Sequence, residues 1–170
     1  EGRDVGAVHL LERVRGVEPL MFGGGQERGL RPGTLPTHQI VGMGEAFRIA
    51  RPRLLADRHH VMGLRDRLWS RLQAIPGVIL NGHPTHTTGH ILNVSVEGVE
   101  GESLHAGLTE IAGASGAACT SLTDEPSYVL RVLGRSPALA RSSVRFSFGR
   151  PTTTGDIDRA AEVFASAVAG

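Results

Sequence analysis

The sequence contains no lysine. All eighteen basic residues are arginine, set against seventeen acidic ones, for a formal net charge of +1 at pH 7. A GC-rich coding bias is a sufficient cause, and it leaves the chain without a side-chain amine. The near balance of charge is not the basic stripe of a nucleic-acid binder, so nucleic acid is excluded as the main partner. Cysteine occurs once; no internal disulfide can form, and a reducing, cytoplasmic setting is expected. No apolar run approaches the ~20 residues that a membrane span requires. Glu1-Gly2-Arg3-Asp4 has neither an initiator Met nor an apolar signal core, and the chain reads as one that begins partway through a longer polypeptide.

What is present is an ordinary globular composition, 40% hydrophobic and 21% charged. At 170 residues, one domain plus a remnant of another is the expected organisation. Gly6 to Leu11 (GAVHLL) reads as a short strand. The segment Met21 to Pro36 (MFGGGQERGLRPGTLP) carries three consecutive glycines, then Gly29 and Gly33, and predicts a loop with special backbone angles. Pro36 can open a helix with Ile40, Met43 and Phe47 on its apolar face. Pro52 is expected to interrupt that helix, and a second one follows with Val61, Leu64, Leu68 and Leu72 at helical spacing, ending at Pro76-Gly77. The domain boundary falls near Pro52, separating residues 1–51 from 52–170.

Beyond it, Val78 to Leu80 and Ile91 to Val96 predict strands on either side of a polar His/Thr loop. Glu102 to Ile111 predicts a helix, Pro126 opens another that stops at Gly134, and Val144 to Phe148 (VRFSF) alternates as a half-buried strand. The last helix starts at a capping box, Thr153 with Asp156, and buries Ile157, Ala161, Phe164 and Val168. Short strands interspersed with helices predict an α/β (α+β) layer, one sheet covered by helices.

Cys119 lies between Ala112 to Ala118 (AGASGAA), all small, and Thr120 to Pro126 (TSLTDEP), polar and turn-forming. A free cysteine commonly behaves as a small buried hydrophobe; these neighbours favour an exposed, mobile thiol instead, and composition leaves both readings standing. Asp124 and Glu125, if close in space, would raise the thiol pKa.

Ser115 to Leu130 (SGAACTSLTDEPSYVL) closely resembles the active-site loop of the NifS/IscS-type cysteine desulfurases, enzymes dependent on pyridoxal phosphate (PLP). The resemblance extends in order through GGGQERGLRPGTLP at Gly23 to Pro36, HQIVGMGEAFRIA at His38 to Ala50, LRDRLWSRL at Leu64 to Leu72, ILNVS at Ile91 to Ser95, EGESL at Glu100 to Leu104 and SSVRFSFGR at Ser142 to Arg150. It implies the small C-terminal domain of a fold-type-I PLP transferase, preceded by the last segment of the large PLP-binding domain. The implied reaction converts L-cysteine to L-alanine, with the sulfur held as a persulfide on Cys119 for an acceptor protein or iron–sulfur scaffold.

By the same resemblance, Arg145 is the residue that holds the substrate carboxylate, a task that suits the planar guanidinium fork. Arg150 is the weaker candidate and reads as structural. Thr34, in a Gly-rich loop, would reach across a homodimer interface to the PLP phosphate of the neighbouring subunit, with Gln26, Glu27 and Arg28 at that interface. His83, His86 and His90 have a spacing open to zinc, but the matching family segment is a variable surface turn, and no metal is assigned. The Lys that holds PLP, and the family's C-terminal tail that helps dock a scaffold, have no counterpart in these residues. Two alternatives remain beside this reading. One is a selenocysteine lyase, against which the longer loop CTSLTDEPSYVL speaks. The other is a PLP-free sulfur carrier or interaction domain that uses Cys119 alone.

Overall fold

The computed structural model describes residues 16–111, 114–115 and 126–170. The strand expected at Gly6 to Leu11 and the segment carrying Cys119, Asp124 and Glu125 lie outside the described residues. The chain divides into two compact units, Glu1–Leu54 and Leu55–Gly170.

In the first unit the Gly-rich segment forms the expected irregular loop around one short 3₁₀ turn, Gln26–Gly29. Gly29 and Gly33 adopt φ of +80° and +95°, and Glu27 and Arg28 sit at 49° and 58°, a left-handed conformation that residues with a Cβ seldom take. Side chains hold the loop in shape. The Gln26 Oε1 accepts from the Gly33 N–H at 3.2 Å, and one Arg31 Nη donates to the Gly33 and Thr34 carbonyls at 3.1 and 3.4 Å.

Helix α1 (Thr37–Leu72) begins directly after Pro36 and runs on through Pro52. The expected break at Pro52 does not occur. A proline inside a helix forfeits one N–H bond and crowds the preceding turn, at about 3 kcal/mol or more; here Arg48, the residue whose carbonyl goes unserved, is exposed and open to water. Of the apolar face read from the sequence, Ile40 and Met43 are half-buried, while Phe47 is exposed.

The second unit is built on a four-stranded antiparallel sheet. Its strands are β1 (Val78–Asn81), β2 (Ile91–Val96), β3 (Ala114–Ser115) and β4 (Ser143–Ser147), in the order β1-β2-β4-β3. Register assigns each residue to a face. On the core face Val78 lies opposite Val96, Leu80 opposite Val94, Leu92 opposite Phe146 and Val94 opposite Val144. Three helical segments cover that face: the end of α1 through Val61, Leu64, Leu68 and Leu72, α2 (Gly101–Gly107) through Leu104, and α5 (Thr154–Ala169) through Ile157, Ala161 and Phe164. Phe164 is fully buried and meets Phe146 edge-on, with ring centroids 5.7 Å apart. A Cβ on Gly107 would come within 2.7 Å of the Ala167 Cβ, so the approach of α2 to α5 needs a glycine there.

The helix ends follow local chemistry. The Glu100 carboxylate caps α2 by accepting from the Glu102 and Ser103 N–H groups at 3.0 and 2.7 Å, which holds its pKa below the ordinary value. That helix ends at Gly107, short of the expected Ile111. The Thr153/Asp156 capping box of α5 forms as the sequence predicts. Helix α3 (Tyr128–Val132) is followed by Gly134 at φ +81°, as expected of a helix stop. A further short helix, α4 (Pro137–Arg141), was not legible as such; Ser136 caps it, accepting from the Leu139 N–H. No helix among the described residues is long and apolar enough to cross a membrane.

Candidate functional site

The face of the sheet opposite the core carries a polar patch beside Ile79 and Ile91. Asn81, Asn93 and Arg145 stand at one level on β1, β2 and β4, with Ala114 of β3 next in register. Alternation dictates this arrangement: Val144 and Phe146 point into the core, so Arg145 between them must point away from it. Its Nε is buried, with no hydrogen-bond partner among the described residues. A buried guanidinium donor with nothing to donate to costs about 1–3 kcal/mol, and an anion arriving over this face would remove that cost. Neighbouring side chains are already engaged. Asn81 Nδ2 donates to Asn93 Oδ1 and Ser95 Oγ at 2.7 and 2.8 Å, and Arg135 Nε donates to Asn81 Oδ1 at 2.7 Å. None of the described strand residues sharing this face is acidic, so it presents donors and positive charge.

Arg150 is placed differently. Its Nε donates to Asp57 on α1 at 2.6 Å, and both groups are partly exposed. That pairing ties the segment after β4 to α1 and agrees with a structural role. A parallel tie joins α1 to α5: Arg67 and Arg71 both donate to the Asp158 carboxylate, which lies below the ordinary carboxylate range chiefly because of the Arg67 hydrogen bonds.

Thr34, in the first unit, is exposed. The Arg31 guanidinium bonds to its carbonyl, and no described residue bonds to its hydroxyl. The histidines of the loop between β1 and β2 serve the turn. His83 Nδ1 accepts from the Thr85 and His86 N–H groups at 3.1 and 2.9 Å, the His83 and His86 rings stack at 4.2 Å, and His90 Nδ1 lies 3.4 Å from the Phe148 carbonyl. Among the described residues no group of three or more His, Cys, Asp or Glu comes together. Cys119 lies outside the described residues.

Sequence reasoning singled out Arg145 on this face and passed over Asn81, Asn93 and Arg135. The signal was there for Asn93. An asparagine inside the strand ILNVSV is a poor strand former, and a polar residue between Leu92 and Val94 can face only away from the core.

The model of the class-V aminotransferases matches residues 9–160. The cysteine desulfurase IscS of Acinetobacter baumannii (strain AYE) is 52% identical over 168 residues, which is 98% of this chain and 41% of that protein. The chain thus spans about two fifths of the length of the curated relatives it matches. Among solved structures, a NifS-like protein from Rickettsia africae ESF-5 superposes with a TM-score of 0.77 at 23% identity, over 91% of this chain and 41% of that one, a likeness of fold. SspA in complex with cysteine superposes with a TM-score of 0.54 at 27% identity, over 79% of this chain and 36% of that one. The mixed α/β architecture of the second unit is therefore that of NifS-like proteins. This chain belongs to the class-V aminotransferase family, with cysteine desulfurases among its relatives.

Proposed function

We propose that this chain forms the C-terminal part of a PLP-dependent cysteine desulfurase that converts L-cysteine to L-alanine and holds the sulfur on Cys119 for transfer to an acceptor protein. Residues 1–51 then belong to the large PLP-binding domain and 52–170 to the small domain. The observation that carries this reading is Arg145, a guanidinium whose buried Nε has no partner among the described residues, on a sheet face where no described strand residue is acidic. Such a group fits the α-carboxylate of an amino acid. The desulfurase names of the relatives, and the cysteine bound to SspA, support cysteine as that amino acid.

The residues present fit PLP in part. Thr34 offers an exposed hydroxyl, on a loop pinned by Gln26 and Arg31, to the phosphate of a cofactor held by the other subunit of a homodimer. The 170 residues contain no lysine, so on this proposal the lysine that holds the cofactor belongs to polypeptide beyond them. When bound, PLP supplies an electron sink that weakens the substrate's C–S bond. The chain's own residues do the rest. Arg145 fixes the carboxylate through two parallel N–H···O bonds and so orients the substrate. The Cys119 thiolate attacks the substrate sulfur; the S–S bond forms as the C–S bond breaks, the carbon keeps the bonding pair and gains a proton, and alanine leaves. The resulting persulfide passes its outer sulfur to an acceptor, an iron–sulfur scaffold protein among the candidates. A single cysteine and near-neutral charge suit a cytoplasmic setting without nucleic acid as partner.

The test is made on the PLP-loaded enzyme that contains these residues. Alanine should appear in step with cysteine consumption, and Cys119→Ser should abolish sulfur release while leaving the cofactor's absorption spectrum unchanged, since a hydroxyl forms no persulfide. Full activity of Cys119→Ser with a protein acceptor present would overturn the proposal. Equal turnover of selenocysteine by the wild type and by Cys119→Ser, without sulfur release from cysteine, would replace it with the selenocysteine lyase reading.

A further inference from the structure

The polar patch of the sheet carries an ordered line of hydrogen-bonding groups, of which the proposed function uses only the last. The order begins at the outer edge. Arg135 donates from Nε to Asn81 Oδ1 at 2.7 Å and from Nη2 to the Leu80 carbonyl at 2.8 Å. With its oxygen turned to Arg135, Asn81 presents its Nδ2 inward, to Asn93 Oδ1 at 2.7 Å and Ser95 Oγ at 2.8 Å. The Asn93 carboxamide is thereby fixed in sense: the oxygen is taken, and Nδ2 is the group left to donate. No described residue accepts from it.

On the adjacent strand Asn93 faces Arg145, whose Nε also lacks an acceptor among the described residues. Opposed residues on one face of an antiparallel pair have Cβ atoms about 4.5–5.5 Å apart. Covalent structure puts the two free donors at similar heights above the sheet, because Nδ2 is three bonds from its Cα and Nε four. Two donors on neighbouring strands, neither with an acceptor among the described residues, backed by the Arg135 cation through two carboxamides, make a cradle for one anionic oxygen pair. A chain of hydrogen bonds running from a guanidinium polarises each carboxamide in turn, which strengthens the terminal donor.

We infer that Asn93 is a second anchor for the carboxylate held by Arg145, donating from Nδ2, and that Asn81 and Arg135 are positioning residues that hold its carboxamide in the donating sense. The identity of the anion as an amino-acid carboxylate rests on the desulfurase reading; the fixed sense of the carboxamide does not. Reversing the carboxamide would strand Asn81 Nδ2 against another NH₂ group, so Arg135 determines which end of Asn93 meets the ligand.

The experiment compares two ligands of the PLP-loaded enzyme, L-alanine and ethylamine, which differ by the carboxylate, each titrated through the cofactor's absorption. Their affinity ratio does not depend on the fraction of protein that is folded. Asn93→Ala should lower that ratio by roughly tenfold or more, the loss of one hydrogen bond to a charged group, and raise KM for cysteine more than it lowers kcat. Arg135→Met should lower the ratio by less, and should add nothing in an Asn93→Ala background. An unchanged ratio in Asn93→Ala, with the ratio lowered in Arg145→Gln, overturns the role of Asn93 and leaves the desulfurase reading intact. Equal weakening of both ligands in Asn93→Ala assigns the residue to the fold and also overturns the inference. An unchanged ratio in both Asn93→Ala and Arg145→Gln removes the carboxylate anchor itself, and the proposed function with it.

Discussion

Replacing Arg145 by methionine should make the protein no less stable and its substrate binding much weaker, two effects that a structural arginine would not combine. The Nε is buried and has no partner among the described residues, which in the unliganded protein amounts to a desolvation cost of about 1–3 kcal/mol with no hydrogen bond from those residues to offset it. Methionine keeps an unbranched apolar stem of similar reach and removes the donors. Unfolding free energy should hold or rise by up to about that amount, a few degrees in Tm. Substrate binding should move the other way. Losing the proposed bidentate carboxylate contact should cost on the order of 1.5–3 kcal/mol, or roughly one to two decades in affinity for cysteine. Arg145→Lys should also weaken binding, because an ammonium keeps the charge without the fork. Arg150→Met is the control: its ion pair with Asp57, with side chains 48% and 21% exposed, is worth about 0.2–1 kcal/mol, and cysteine affinity should not change. Thermal unfolding of the unliganded protein and steady-state kinetics of the loaded enzyme together decide the matter. Loss of stability in Arg145→Met with unaltered affinity for cysteine would refute the reasoning.

Three further outcomes are expected. Phe164→Ala should destabilise by about 3–5 kcal/mol in denaturant titration, because Phe164 is fully buried against Phe146 and the sheet. Acid should destabilise the protein in a defined window. Glu100 and Asp158 are held below their ordinary values of 4.5 and 3.8, so what they contribute is present above those values and is lost as the pH falls through the lower, folded-state ones; Glu100→Gln and Asp158→Asn should each flatten the acid limb of a Tm-versus-pH curve. Incubation of the 170-residue chain with PLP and borohydride should give no adduct at a side-chain amine, since there is no lysine; mass spectrometry that finds one anywhere but the N-terminal amine would contradict this.

Much of the fold could be read from the sequence where a residue's neighbours decide its state. Ile91 to Val96 and Val144 to Phe148 alternate strongly enough to fix both strand and face, and the Thr153/Asp156 box fixes the start of α5. The misses are places where context outweighs local preference. Pro52 lies within α1 because a long, packed helix absorbs the loss of one exposed hydrogen bond. Ala114–Ser115 has no strand propensity and becomes β3 only by pairing with β4. Helix α4 is five residues long, too short for periodicity to register, although Ser136-Pro137 is a fair start signal. In the candidate site, Arg145 was legible through the family resemblance. The Asn81–Asn93–Arg135 line was not, since it joins three distant segments whose meeting depends on sheet register.

That register is clamped at one end by two hydroxyls. Ser142 Oγ donates to the Val96 carbonyl at 2.6 Å and Ser143 Oγ to the Ala140 carbonyl at 2.8 Å, both deep in the protein, just where β4 begins. The strand therefore enters the sheet at a set phase. Its parity then assigns Val144 and Phe146 to the interior and Arg145 to the opposite face in a single stroke. A one-residue insertion or deletion between Ser143 and Phe146 would exchange the two sets, driving a cation into the hydrocarbon layer and aromatic surface onto the opposite, polar patch. Length changes in this stretch are thus closed to the chain even where point substitutions are tolerated, and variation has to enter through side-chain identity, one position at a time.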